Sequence, residues 1–176
     1  MPTSKAEAIP HVAALCMSTS PDTILEIGVG FGKYGVLFRE WCDARFGRIK
    51  RDDWKTKIHG IEIFDGYRNP AWSVYDQVFI GNIIGMPLPP FDFIFAGDVI
   101  EHLQKEQGFM LLELIKKVTN KCCVVVVPLG SQPQDELFGN PAEAHISTWN
   151  EDDFYGWQGK VIESGGYKKG IYWIRK

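Results

Sequence analysis

Glu26, Gly28, Gly30 and Gly32 stand at alternate positions in TILEIGVGFGKYG, residues Thr23 to Gly35. An acid followed by glycines at this spacing suits ligand binding: bare backbone turns sharply, approaches a ligand closely and offers it N–H groups, while the carboxylate supplies negative charge. A second acid, Glu62, ends KIHGIEIF. One carboxylate can accept from two hydroxyls at once. Farther on, FDFIFAGDVIEHL carries Asp98 and His102, and NPAEAHISTW carries His145. These three are the candidate proton acceptors, the imidazoles because they titrate near neutrality.

The glycines need a strand before them and a helix after them. Ile24, Leu25 and Ile27 fit a strand covered on both faces. KYGVLFREWCDARF then places Val36, Leu37, Trp41 and Ala44 at roughly helical spacing. Gly30, Gly32 and Gly35 spell the G-x-G-x-x-G of nicotinamide sites, but the glycine that leaves the strand is Gly28, and in that register Lys33 occupies the third position. Read as Glu26-x-Gly28-x-Gly30-x-Gly32, the stretch resembles the first motif of the class I S-adenosylmethionine-dependent methyltransferases. FDFIFAGDVIEHL resembles the D-x-x-E-H-L element that follows the fourth strand in many small members. The loop N-P-x-x-x-H-x-S-x-W is similar to one in bacterial methyltransferases of uncertain substrate.

The resemblance implies S-adenosylmethionine as cofactor. Glu26 and the loop of Gly28, Gly30 and Gly32 would hold its methionine and ribose part, Glu62 the two ribose hydroxyls with Ile63 beside it, and Asn82 and Ile83 the adenine edge and face. Asp98 would anchor the methionine ammonium or act as a base. His145 would face the acceptor, with His102 as a further catalytic candidate. The acceptor is expected to be a small molecule methylated at a hydroxyl oxygen by direct in-line displacement. The fourth strand lacks the asparagine- or aspartate-Pro-Pro-aromatic element of amine methylation and the Pro-Cys pair of cytosine-C5 enzymes. No metal is expected, although Asp135 and Asn140 keep a magnesium-dependent reading open. Two other readings stand beside this one: a cofactor-binding module without catalysis, and a nicotinamide-binding half-domain.

With 176 residues, the chain has the size of one domain, residues 1–176, in which 1–20 form a helical cap segment. The 45% hydrophobic and 23% charged fractions with a net charge of −3 are those of a soluble globular protein and give no electrostatic case for nucleic acid or membrane. Arg45, Arg48, Lys50, Arg51, Lys55 and Lys57 alternate with acids and read as a solvated loop. Cys16, Cys42, Cys122 and Cys123 lack C-x-x-C spacing, and the last two should point to opposite faces of a strand. Reduced thiols and no signal-peptide core suggest a cytoplasmic protein.

The remaining elements follow from pattern. Ser4 to Met17 reads as one helix or two pieces broken near Pro10. Lys57 to Phe64, Gln77 to Ile83, Phe91 to Asp98 and Lys121 to Pro128 read as strands, with a short helical connection at Asp65 to Tyr75 whose Tyr67, Trp72 and Tyr75 serve packing. A helix follows Asp98, interrupted near Gly108, and another is capped by Asn150 with Asp153. Lys160 to Ser164 and Gly170 to Arg175 form an antiparallel pair joined by GGYKK. The expected fold is α/β, a doubly wound Rossmann-like, mostly parallel seven-stranded sheet with an antiparallel last strand and helices on both faces.

Overall fold

The run KCCVVVVP lies at the heart of a sheet buried on both sides. A computed structural model describes residues 6–176; the N-terminal expectation at Ser4 and Lys5 lies outside them. The strands are β1 (Thr23–Ile27), β2 (Lys57–Glu62), β3 (Gln77–Ile80), β4 (Phe91–Gly97), β5 (Thr119–Pro128), β6 (Gln158–Ser164) and β7 (Tyr167–Arg175), in the order β3-β2-β1-β4-β5-β7-β6. β1 to β5 run parallel, and β7 is antiparallel to both β5 and β6.

Alternate residues of β5 feed two separate cores. Cys122, Val124 and Val126 pack with α1 (Ile9–Thr19) and α2 (Lys33–Cys42) on one face. Cys123, Val125 and Val127 pack with α3 (Lys105–Val118) on the other, so the two adjacent cysteines do point opposite ways. Pro10 does not break the first helix: it sits in the first turn of α1, where its fixed φ suits a helix start. Gly108 likewise interrupts nothing. The chain makes a 3₁₀ turn at Ile100–His102 and starts α3 at Lys105; Gly108 lies within α3 because a Cβ there would sit 2.4 Å from the Trp149 ring. His102 thus stands in a 3₁₀ turn, not in an α-helix. The segment after Asn150 is a single 3₁₀ turn, Glu151–Phe154, in which Asn150 N–H donates to Asp153 Oδ2 at 2.8 Å.

Two elements differ from their sequence reading in ways that matter for the site. The β6–β7 hairpin turns on Gly165 and Gly166 alone, both with positive φ, which places Lys168 and Lys169 inside β7. The buried face of α2 is Tyr34, Gly35, Phe38, Arg39 and Cys42, while Val36 is exposed. The reason is Arg39, which is 5% exposed. Its guanidinium donates to Asp43 Oδ2 at 2.5 Å, to the carbonyls of Thr56 and Val74 at 2.8 and 2.9 Å, and to Asp76 at 3.3 Å, and it lies over the Trp54 ring. Part of the basic cluster joins this network, since Arg48 pairs with Asp43 and Arg51 donates to the carbonyls of Ser73 and Tyr75.

Replacing Arg39 by Ala leaves Asp43 with only Arg48 and the Lys55 N–H, and leaves the carbonyls of Thr56 and Val74 without this donor. Leaving a buried acceptor unsatisfied costs about 1–3 kcal/mol, so urea unfolding of Arg39→Ala is expected to show a loss of at least that order with an unchanged slope.

Candidate functional site

At the carboxyl ends of β1, β2, β4 and β5 the chain encloses a cleft of about 410 Å³, a volume typical of small-ligand sites. Glu26, Gly28, Gly30, Glu62, Ile63 and Asn82 line it, as do Ile83, Asp98, His102 and His145. Gly32 is the one candidate outside the lining. It caps α2 at φ 91°, and a Cβ there would come 3.2 Å from the Trp72 ring.

The glycine loop is held from several sides. Gly28 N–H donates to Ile61 O at 2.9 Å, and Gly28 and Gly30 have φ of 79° and 52°, conformations that side chains resist. Glu62, at the tip of β2, accepts from Gly30 N–H at 2.8 Å through Oε2 and from Phe64 N–H at 3.0 Å through Oε1. Each oxygen keeps acceptor capacity. The Trp72 indole donates to Gly30 O at 2.9 Å. Tyr75 reaches beneath the loop: its hydroxyl accepts from Gly35 N–H at 3.1 Å and donates to Glu26 Oε2 at 2.6 Å. Gly35 must be a glycine, because a Cβ would fall 2.1 Å from the Tyr75 ring. Burial pushes the Glu26 carboxyl up to about 8, against the opposing pull of the Tyr75 hydrogen bond. Glu62 is also raised by burial, with its backbone N–H bonds working the other way. Asn82 turns its carbonyl to Ile84 N–H at 2.9 Å, and Ile83 is buried.

The other end of the cleft is built by β4, β5 and the loop after Pro128. Asp98 leaves β4 with φ 53°, and both its oxygens accept from Lys169 Nζ at 2.6 Å. Lys169 thus occupies both oxygens of Asp98, whereas the two histidines present open ring nitrogens. Glu101 lies behind Asp98. Its backbone carbonyl accepts from Ile146 and Ser147 N–H at 2.9 and 3.1 Å, fastening the NPAEAHISTW loop over it. Its carboxyl is 1% exposed as a residue, has no hydrogen-bond partner on either oxygen, and is held well above the usual carboxylate range by burial and by the charge of Asp98. The rings of His102 and His145 stand 4.9 Å apart at 70°. His102 Nδ1 lies 3.1 Å from Ala144 O, and His145 Nδ1 lies 2.6 Å from Gln132 O. Carbonyls only accept, so each Nδ1 carries its hydrogen and each Nε2 keeps a lone pair. Burial lowers the pKa of His102. The loop's outer part is tied down where the Tyr67 hydroxyl donates to Glu143 at 2.8 Å and Asn140 donates to that hydroxyl at 3.2 Å.

No protein-family model and no curated protein matches this chain. Its fold does match solved structures. A magnesium protoporphyrin IX methyltransferase from Synechocystis with bound S-adenosylmethionine superposes with a TM-score of 0.66 at 11% identity, over 97% of this chain and 79% of that one. A didemethyltoxoflavin N1-methyltransferase from Burkholderia thailandensis gives 0.67 at 13% identity, over 97% and 78%. A methyltransferase from Aquifex aeolicus gives 0.60 at 18% identity, over 98% and 95%. The chain has the class I methyltransferase fold.

Within that fold, sequence reasoning left out Glu101 and Lys169 as site residues. Lys169 carried a usable signal, since Gly-Gly between alternating runs marks a two-residue hairpin and returns the following lysines to the strand. Glu101 gave only its place in a motif, because its burial depends on a loop far away in sequence.

Glu26 yields a pH prediction. Folded, its carboxyl holds a proton up to about 8, whereas its ordinary value is 4.5. The folded state therefore binds more protons in this window, and the stability from Glu26 is lost as pH rises through it, by at most about 1.4 kcal/mol per unit. Glu26→Gln cannot ionise. Its stability relative to wild type, measured by denaturant unfolding between pH 4.5 and pH 8, is expected to rise with pH; a flat difference would show that the buried carboxyl is not the titrating group.

Proposed function

We propose that this chain is an S-adenosylmethionine-dependent methyltransferase that acts on a small molecule, most directly on a hydroxyl oxygen. The observation that carries this reading is the Glu62 clamp on the glycine loop, with its spare lone pairs at the lip of a cleft that runs on to two histidines. In the proposed pose the ribose hydroxyls donate to Glu62, and the adenine lies between Asn82 and Ile83. The sulfonium faces Asp98 and the β4 end, and Glu26 offers its carboxyl near the ammonium, whose positive charge favours release of the proton that burial retains. From the tip of β2 to that of β5 is about three strand spacings of ~4.8 Å, roughly 14 Å, a span that suits a nucleoside joined to an amino acid.

An acceptor oxygen at the β4–β5 end attacks the methyl carbon as the carbon–sulfur bond breaks and its electron pair returns to sulfur. The acceptor proton passes to Nε2 of His145 or of its neighbour His102. Because Nδ1 of both rings is tied to a carbonyl, the accepting nitrogen is fixed in tautomer and aim. The cleft supplies alignment and exclusion of water, the main demands of an in-line displacement on an already activated methyl. A pair of structural relatives whose names specify a porphyrin and a toxoflavin precursor favours a small acceptor. They fix neither the atom methylated nor the acceptor in this chain.

At a hundred times its dissociation constant, S-adenosylmethionine is expected to stabilise the protein by about 2.7 kcal/mol, seen as a thermal shift that NADH does not give. Gly30→Val, forced into positive φ, and Glu62→Ala should each weaken cofactor binding at least tenfold in calorimetry while the fold persists; retained affinity in both would place the cofactor elsewhere. With an acceptor identified from a metabolite pool, His145→Ala is expected to lower turnover about 10²-fold with cofactor affinity unchanged. An unaltered rate would leave that ring a loop staple.

A further inference from the structure

Among the described residues, Glu101, His102 and His145 each bring one metal-ligating atom to within 4.8 Å of the others. Their surroundings point to a cation more than to packing. Both Glu101 oxygens are buried and without a hydrogen-bond partner, an arrangement that native proteins rarely leave uncompensated. A protonated Glu101 would have to turn its O–H to an imidazole Nε2, a bond the present spacing does not make. Lys169, whose charge reaches Glu101, is held by both oxygens of Asp98. The two imidazoles are oriented as metal ligands usually are: each Nδ1–H is tied to a backbone carbonyl, of Ala144 and Gln132, which fixes the ring and leaves Nε2 as the free donor. The backbone bonds from Ile146 and Ser147 to Glu101 O fix the histidine loop to the carboxylate's own turn, so all three donors are positioned by one local framework.

We propose that Glu101, His102 and His145 form a binding site for one divalent first-row transition cation. A donor set of two imidazoles and one carboxylate favours zinc, iron or cobalt over magnesium. Ligand bonds of about 2.1 Å in a tetrahedral site put donor atoms ~3.4 Å apart, so the three groups, now within 4.8 Å of one another, need to close by up to ~1.4 Å. Three protein ligands leave coordination positions open, and His102 and His145 both line the cleft. An acceptor oxygen bound there would be polarised by the cation, which would take over the role given above to a free imidazole. That consequence rests on the acceptor end proposed above, whereas the site itself rests on these three side chains.

The test uses the full chain, stripped with a chelator and titrated with cobalt(II) and then zinc, with no cofactor or acceptor present. One equivalent of cobalt is expected to bind and give a visible d–d spectrum that zinc abolishes, while magnesium at the same concentration leaves it unchanged. Glu101→Gln and His145→Ala should each weaken metal binding at least tenfold. S-adenosylmethionine affinity, measured on the same preparations, should stay within twofold and shows that the variants are folded. No metal uptake by wild type, or equal uptake by the variants, overturns the site. Metal binding without S-adenosylmethionine binding leaves the site standing and removes the proposed methyltransferase function, so the two failures are distinguishable.

Discussion

The hydrogen bond from Gly30 N–H to the Glu62 carboxylate is the interaction that most of the site depends on. A loop of alternating glycines has little intrinsic preference for one shape, and ordering it is unfavourable in backbone entropy. Here the loop cannot relax. Glu62 grips one side of Gly30, the Trp72 indole grips its carbonyl, and the Tyr75 hydroxyl bridges Gly35 and Glu26 below. Trp72 lies in the 3₁₀ turn between β2 and β3 and Tyr75 directly follows it, so the loop after β1 is shaped by the neighbouring β2 and by the connection that follows it. This ties the binding surface to sheet order. Moving β2 away from β1 would remove the clamp and the carboxylate together.

That coupling explains which parts were legible in the sequence. Strands such as the apolar run of β5 declare themselves, because burial on both faces demands hydrophobic residues, and Thr23–Ile27 does so with Glu26 as its one buried charge. The glycine loop and Glu62 were legible because their spacing is a local property. The face of α2 was not. Its inward residues include an arginine and a glycine, choices set by Asp76, Thr56 and Tyr75, which are distant in sequence. Trp149 hid the reason for Gly108 in the same way, since a helix with glycine in its first turn looks interrupted until the indole that fills the space is seen.

The β4–β5 end of the cleft was legible in its residues and opaque in its arrangement. Asp98, His102 and His145 stood out by type, but only the folded loop reveals that Lys169 neutralises the first and that Glu101 lies behind the other two. The loop itself is irregular, with no periodicity to read. Its order comes from backbone bonds to Glu101 O and from Lys105, which donates to Thr148 O at 2.6 Å, pairs with Asp153 and lies over the Trp149 ring.

Three carboxyls around the cleft, those of Glu26, Glu62 and Glu101, are all raised by burial, yet they are not equivalent. Glu26 and Glu62 receive hydrogen bonds from a tyrosine and from backbone amides, which offset part of the burial that disfavours their ionised form. Such acids can stay in place with or without a ligand, and a diffusing cationic cofactor whose charge is spread over an ammonium and a sulfonium asks no more of them. Glu101 accepts from no neighbouring residue on either oxygen, and the one donor acting on its charge is its own backbone N–H. Hydrogen-bond donors are abundant in this loop and are used on neighbouring carbonyls, including that of Glu101 itself. A carboxylate left bare among them, facing two imidazole lone pairs, is complementary to a compact, strongly charged ion and to little else.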